Sequence, residues 1–396
     1  PDSNGQYGVG VTDGGDFTMT GGKIEAGWFA VAGNGNYKTQ NSIINITDGE
    51  LISTADYAVY LPQSGTTTIS GGKVYGAAGG VCIQRGTLNV EGTALITSKG
   101  TGSTGNWGDG TGGLDCAAIN VSGAYGIATV NIKGGTLIAE AKSLITEGTT
   151  YTPVINVTGG TFSDPSVLKY MATNATVDIK LLSNINIAKT ELATGYILNA
   201  ANATANLNLN GHDIINSSET ADATPFTQIF TVQNGTLNIS GNGNVKCDAS
   251  ATAKDDGYRM VIEARGYGTV NIHGGSYYNT QKLNTQIDLI YARENGKINI
   301  YGGTFESGKY GTPNNDTDGR YWVLNLKNTD KNTASIQVSG GTFINFNPAN
   351  PNMDDNESYL VTGYEVTRDG SVYTAAHKVG DGRKEYIVGQ TSQENR

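Results

Sequence analysis

The side chains whose types and order could do chemistry are two adjacent carboxylates, Asp255 and Asp256, followed by His273 and then by Arg293 and Lys297. Paired carboxylates facing each other across a groove hydrolyse glycosidic bonds, and an acidic calcium cluster beside an Arg or Lys base suits a polysaccharide lyase. The local context argues against both. Residues 249–257, which carry the paired acids, have the composition of a solvated loop. The only histidines are His212, His273 and His377, and there is no G-x-S-x-G elbow, so no nucleophilic triad can be assembled. Asp316 and Asp318 hold part of a calcium-loop pattern but lack its spacing and its terminal Glu, which reads as a turn. The glycine pairs follow strands and open no helix, so they are corners rather than phosphate cradles. No catalytic residue, metal site or cofactor is expected.

Composition narrows the field further. Of 396 residues, 56 are glycine and 8 are proline, and charged residues make up 16%. Collagen needs a Gly-X-Y period and abundant proline, and neither is present. Disorder is disfavoured because 37% of residues are hydrophobic and fall in short β-branched bursts. The net charge of -10 is spread evenly: residues 1–170 carry 8 basic and 13 acidic side chains, and residues 171–396 carry 18 and 23. Without a basic face, nucleic acid is excluded as a partner. No apolar run approaches the ~20 residues of a membrane span, so no membrane insertion is expected. Cys82, Cys116 and Cys247 are too far apart and odd in number for a disulfide framework, and no C-x-x-C pair points to zinc. The chain opens at Pro1 without a signal-like segment, which reads as a processed product or a fragment.

What organises the chain is a repeat. One phrase recurs: apolar, Asn, apolar, polar, Gly-Gly, then a short apolar burst. It appears as FTMTGGKI (17–24), INITDGEL (44–51), TTISGGKV (67–74), LNVEGTAL (88–95), VNIKGGTL (130–137) and INVTGGTF (155–162). It continues as LNLNGHDI (207–214), LNISGNGN (237–244), VNIHGGSY (270–277), INIYGGTF (298–305) and IQVSGGTF (336–343). Most intervals are near the ~20–30 residues of a short-period solenoid coil. A 42-residue gap holds the Gly/Ser/Thr-rich insert 99–115, and a 52-residue gap hides a degenerate coil around Val177–Leu182.

The alternation within each phrase has period two, so each is a strand, and the Gly-Gly corner turns the chain into a second strand. With a third strand often preceding the phrase, the pattern predicts an all-β parallel β-helix. Alternation then sends pairs such as Leu88/Val90, Val130/Ile132 and Leu207/Leu209 inward. The residues between them point outward: Asn45, Asn89, Asn131, Asn156, Asn208, Asn238, Asn271 and Asn299. Stacked coil on coil, they predict an external amide ladder, which is either a polar binding stripe or a device that holds register.

Two phrases close alike, at Gly159–Pro165 and Gly340–Pro348. They divide the chain into a first β-helix segment (1–170), a second (171–348) and a C-terminal linker with a hairpin (349–396). The hairpin turns at Asp369-Gly370 between alternating strands. Residues 165–170 are expected to form a single helical turn. Among aromatics, Trp107 in the insert, and Tyr310 and Trp322 beside the long loop 306–320, are ligand-binding candidates; the alternative for Trp322 is packing along a strand.

These phrases resemble known proteins. Asn206–Ile215 resembles a coil opening of pectate-lyase-like right-handed parallel β-helix proteins, a fold shared with polysaccharide lyases and hydrolases. The order of Asp255-Asp256, His273, Arg293 and Lys297 is loosely similar to that in polygalacturonase-like enzymes, although the upstream Asn-Thr-Asp of that group is absent. The Gly-Gly-Thr-Phe endings, with Gly363-Tyr-Glu-Val366 and Asp369–Tyr373, look like surface repeat proteins of gut bacteria and their phages. Gly341–Ala349 is similar to a closing motif of phage fibre or head-fibre proteins. The resemblance implies a right-handed β-solenoid serving as a virion appendage, or as a bacterial cell-surface adhesin, with virion or cell-surface proteins and host glycans as partners. It also implies a homotrimer. The expectation is a non-enzymatic protein at the virion surface or cell surface.

Overall fold

A computed structural model describes residues 7–35, 39–104, 113–147, 150–187, 195–216, 226–247, 258–279, 287–307, 321–351 and 358–378. Strands dominate, and no α-helix occurs among the described residues. Among the described residues, three sheets of 18, 6 and 8 strands run along the molecule, and consecutive coils pair in parallel. This all-β arrangement is compatible with a β-solenoid.

The repeated phrase builds the strands as its alternation requires. Leu88, Val90, Val130, Ile132, Leu237, Ile239, Val270, Ile272, Ile298 and Ile300 are fully buried. Pairing in register stacks like on like. One column runs Ile24, Leu51, Val74, Ile96, Leu137, Phe162, Ile179, Leu207, Ile239, Ile272, Ile300 and Val338 without a break. From Leu51 to Ile300, each side chain in it is buried against the rungs above and below. Larger rings stack in the same way: Tyr277, Phe305 and Phe343 are fully buried, with centroids 5.1 and 5.0 Å apart and planes within 15°.

At Gly72 the corner needs glycine because the preceding coil passes within contact distance. Gly72, the second glycine of its pair, has φ of +73°, and a Cβ there would lie 2.6 Å from the carbonyl oxygen of Gly49. Any side chain would meet both a disfavoured dihedral and an unyielding backbone.

Near residue 160 the stacking changes column. In the first segment, strands preceding the glycine corner pair with one another, from Gly65–Ile69 through Gly86–Val90 and Ala128–Ile132 to Val154–Val157. Strands after the corner form their own column, ending at Thr161–Phe162. The next phrase strand, Thr176–Lys180, pairs with Thr161–Phe162 rather than with Val154–Val157. The phrase thus moves onto the neighbouring face, and the extra chain is taken up by the 3-10 turn Pro165–Tyr170. Asp164 caps this turn through a 2.9 Å bond from the Ser166 N–H.

At the far end, the hairpin Tyr364–Asp369 and Val372–His377 pairs antiparallel with Gly341–Ile344. It turns at Gly370, where φ is +59°. An antiparallel strand there ends the parallel sheet and covers its edge. No helix among the described residues is long and apolar enough to cross a membrane.

Candidate functional site

The amide ladder is present, and its bonds run from coil to coil. Asn89 donates to Thr68, Asn131 to Asn89 and Asn156 to Asn131, at 3.4, 3.0 and 3.0 Å. In the second segment Asn206 donates to Asp178, Asn238 to Asn206, Asn271 to Asn238 and Asn299 to Asn271, at 2.8–3.0 Å. Asn45 occupies the equivalent position, in register with Thr18 and Thr68. One rung differs from the sequence expectation: Asn206, not Asn208, pairs with Asn238. Asn208 is exposed, and its Oδ1 accepts from the N–H of Asn210. The run Asn206-Leu-Asn-Leu-Asn210 alternates perfectly, so pattern alone does not distinguish positions two apart.

The titratable groups gather elsewhere, on strands that precede the phrase in the second segment: Phe226–Ser240, Tyr258–Ile272, Ile287–Ala292 and Tyr321–Leu326. Register aligns two rows on them, Gln228–Met260–Asp288–Trp322 and Thr231–Glu263–Tyr291–Asn325. Glu263 and Asp288 are only 1% and 4% exposed. Buried carboxylates persist only when bonded, and these are. Glu263 accepts from Arg293 Nε at 2.6 Å and from Gln228 Nε2 at 2.8 Å. Thr231 donates to Gln228, and Arg293 reaches Glu294 at 2.5 Å as well.

Asp288 accepts from Asn325 Nδ2 at 2.9 Å. Burial pushes its pKa up to about 7; the Asn325 bond opposes the shift and the negative charge of Glu263 adds to it. Burial, aided by the charge of Asp288, also raises the Tyr291 phenol to about 12. The result is an asymmetric pair, one carboxyl matched to a guanidinium and the other inclined to hold a proton near neutrality.

The sequence candidates fall out as follows. Arg293 joins this cluster, but its acidic partner is Glu263. Asp255 and Asp256 lie outside the described residues, as do Asp316, Asp318, Trp107 and Tyr310. His273 is exposed on the phrase face and stacks on Tyr301 at 4.7 Å. Lys297 is exposed at a strand start, paired in register with Thr269. Trp322 is 7% exposed, in register with Asp288, and its indole N–H has no partner among the described residues. Its burial fits the strand-packing alternative. Sequence reasoning passed over Glu263 and Asp288. The signal was a lone acid inside an apolar run, in Met260-Val-Ile-Glu-Ala264 and Ile287-Asp-Leu-Ile290.

The three cysteines are buried, and none of them forms a disulfide. Among the described residues no group of three or more His, Cys, Asp or Glu side chains is arranged to hold a metal ion. Compared with known proteins, the chain matches no protein-family model, no curated protein and no solved structure.

Proposed function

We propose that the chain is a non-enzymatic, right-handed parallel β-helix that works as a stiff, exposed appendage. It would be displayed on a virion, as a head or tail fibre, or on a bacterial cell surface for attachment. The observation that carries this reading is the unbroken core column from Ile24 to Val338, reinforced outside by the amide ladder. Coils that bond in series at ~4.8 Å each extend the body by about 50 Å or more, holding any surface feature at a set distance. Right-handedness is the hand that parallel crossovers adopt almost without exception. The consecutive segments 1–170 and 171–348 then act as one rod.

Immunogold labelling of source cells and virions tests the placement: label on neither surface refutes an exposed appendage. Light scattering tests the trimer, because a stable monomer would remove it.

A second reading is a polysaccharide-cleaving enzyme, for which the buried carboxyls Asp288 and Glu263 would have to open to a substrate. Neighbouring carboxyls with divergent environments are how an acid and its partner are set apart. New reducing ends or unsaturated sugars released from a glycan panel, and lost in both Asp288→Asn and Glu263→Gln, would replace the first reading with this one.

A further inference from the structure

Where the stacking changes column, one face of the molecule is interrupted. The six-stranded sheet ends at Lys142–Thr146, and the eight-stranded sheet begins at Ile185–Ile187. These two terminal strands and the turn Pro165–Tyr170 wall a cleft of about 710 Å³, whose lining also includes Gly195, Tyr196 and Ile197. Clefts of ~300–1,000 Å³ are the size that encloses a small ligand or a short stretch of polymer.

We propose that this cleft binds a short stretch of a neutral oligosaccharide. The inference rests on the attachment reading above and says where, and to what chemistry, the rod attaches. The lining is amphipathic: Ile185, Ile197 and the Tyr196 ring, which also packs against Phe230 at 5.7 Å, are half-buried and keep apolar surface toward the cleft, the kind that covers the C–H face of a pyranose. Polar groups of both kinds interrupt it. Lys169 is exposed, its ammonium lies 4.7 Å from the Tyr170 ring, and it has no carboxylate partner among the described residues. Asn184 accepts the Asp213 N–H through Oδ1 at 2.9 Å, which leaves its NH₂ for another acceptor. Asn186 and Ser183 are exposed.

The acids of the wall are unequal. Asp164 is 5% exposed and is consumed by Ser143 and Ser166, accepting from the Ser143 N–H and Oγ at 2.5 Å each. One oxygen of Glu147 accepts from the Asp115 N–H at 2.8 Å and from Asn120 Nδ2 at 2.5 Å. Glu140 is exposed as an acceptor. With Lys142, the charged lining holds three carboxylates against two ammoniums, which gives an anionic ligand no net attraction. A sugar hydroxyl both donates and accepts, so it is served equally by Lys169, the Asn184 amide and Glu140.

The test is calorimetric binding of the full chain to a panel of neutral hexose and N-acetylhexosamine oligosaccharides, with uronate-containing oligosaccharides alongside. At least one neutral member should bind, and its affinity should hold when NaCl rises from about 50 to 500 mM, because no ion pair is screened. Ser183→Trp and Asn186→Trp, both at exposed positions, should each weaken it by about tenfold or more, a loss of ~1.4 kcal/mol. Their folding is checked by circular dichroism. Binding of uronates alone, no binding at all, or neutral binding that survives both substitutions overturns the assignment. In the last case, attachment by another surface would still stand; absence of surface label with immunogold would refute attachment itself.

Discussion

Asp288 gives the sharpest test of the energetics, because its protonation and its burial are linked. The unperturbed carboxyl titrates near 3.8, and the folded one near 7. A folded pKa above the unfolded value means that the folded state binds the extra proton between those two pH values. Its stabilising contribution is therefore complete below pH ~4 and lost as pH rises through 7. At 1.36 kcal/mol per unit, the interval of about three units amounts to roughly 4 kcal/mol of lost local stability at pH 8. In stacked coils the effect of one buried carboxyl is read most directly on the strand that carries it. Hydrogen exchange of the strand Ile287–Ala292, corrected for intrinsic rates, reports the local opening. Wild type should lose protection between pH 5 and 8. Asp288→Asn keeps the shape and an oxygen for Asn325 but cannot ionise, so its protection should be nearly flat and should exceed wild type at pH 8. An equal pH dependence in the two proteins would refute the assignment of a proton to Asp288.

The remaining predictions concern the stack. Phe305→Ala removes the middle ring of Tyr277–Phe305–Phe343 and should cost about 3–5 kcal/mol, seen as early exchange or proteolysis of the surrounding coils. Asn206→Ala should break two ladder bonds and lower the melting temperature measurably, at ~1 kcal/mol per bond, whereas Asn208→Ala should leave the ladder unbroken and do less. Gly72→Ala should destabilise the first segment by about 1–3 kcal/mol or more, since φ of +73° and the Gly49 carbonyl both resist a Cβ; an unchanged melting curve would contradict that geometry.

Much of this architecture could be read before any coordinates. Period-two alternation is a local property of the chain, so Leu88/Val90 and Ile298/Ile300 had to face inward, and the residues between them outward. The Gly-Gly corners, the single turn at 165–170 and the hairpin at Asp369-Gly370 are likewise set by short-range sterics. What lay beyond the sequence depends on which coil rests on which. A strand shifted by two residues keeps the same faces, so only stacking chose Asn206 over Asn208 as the rung. The column change after Phe162 is a choice of neighbour that alternation does not encode, and the cleft at 142–197 exists because of it. The same holds for Glu263, which lies a coil before Asp288 and Arg293: its bond to Arg293 and the raised pKa of Asp288 arise only once parallel register lays those coils together and removes water from between them.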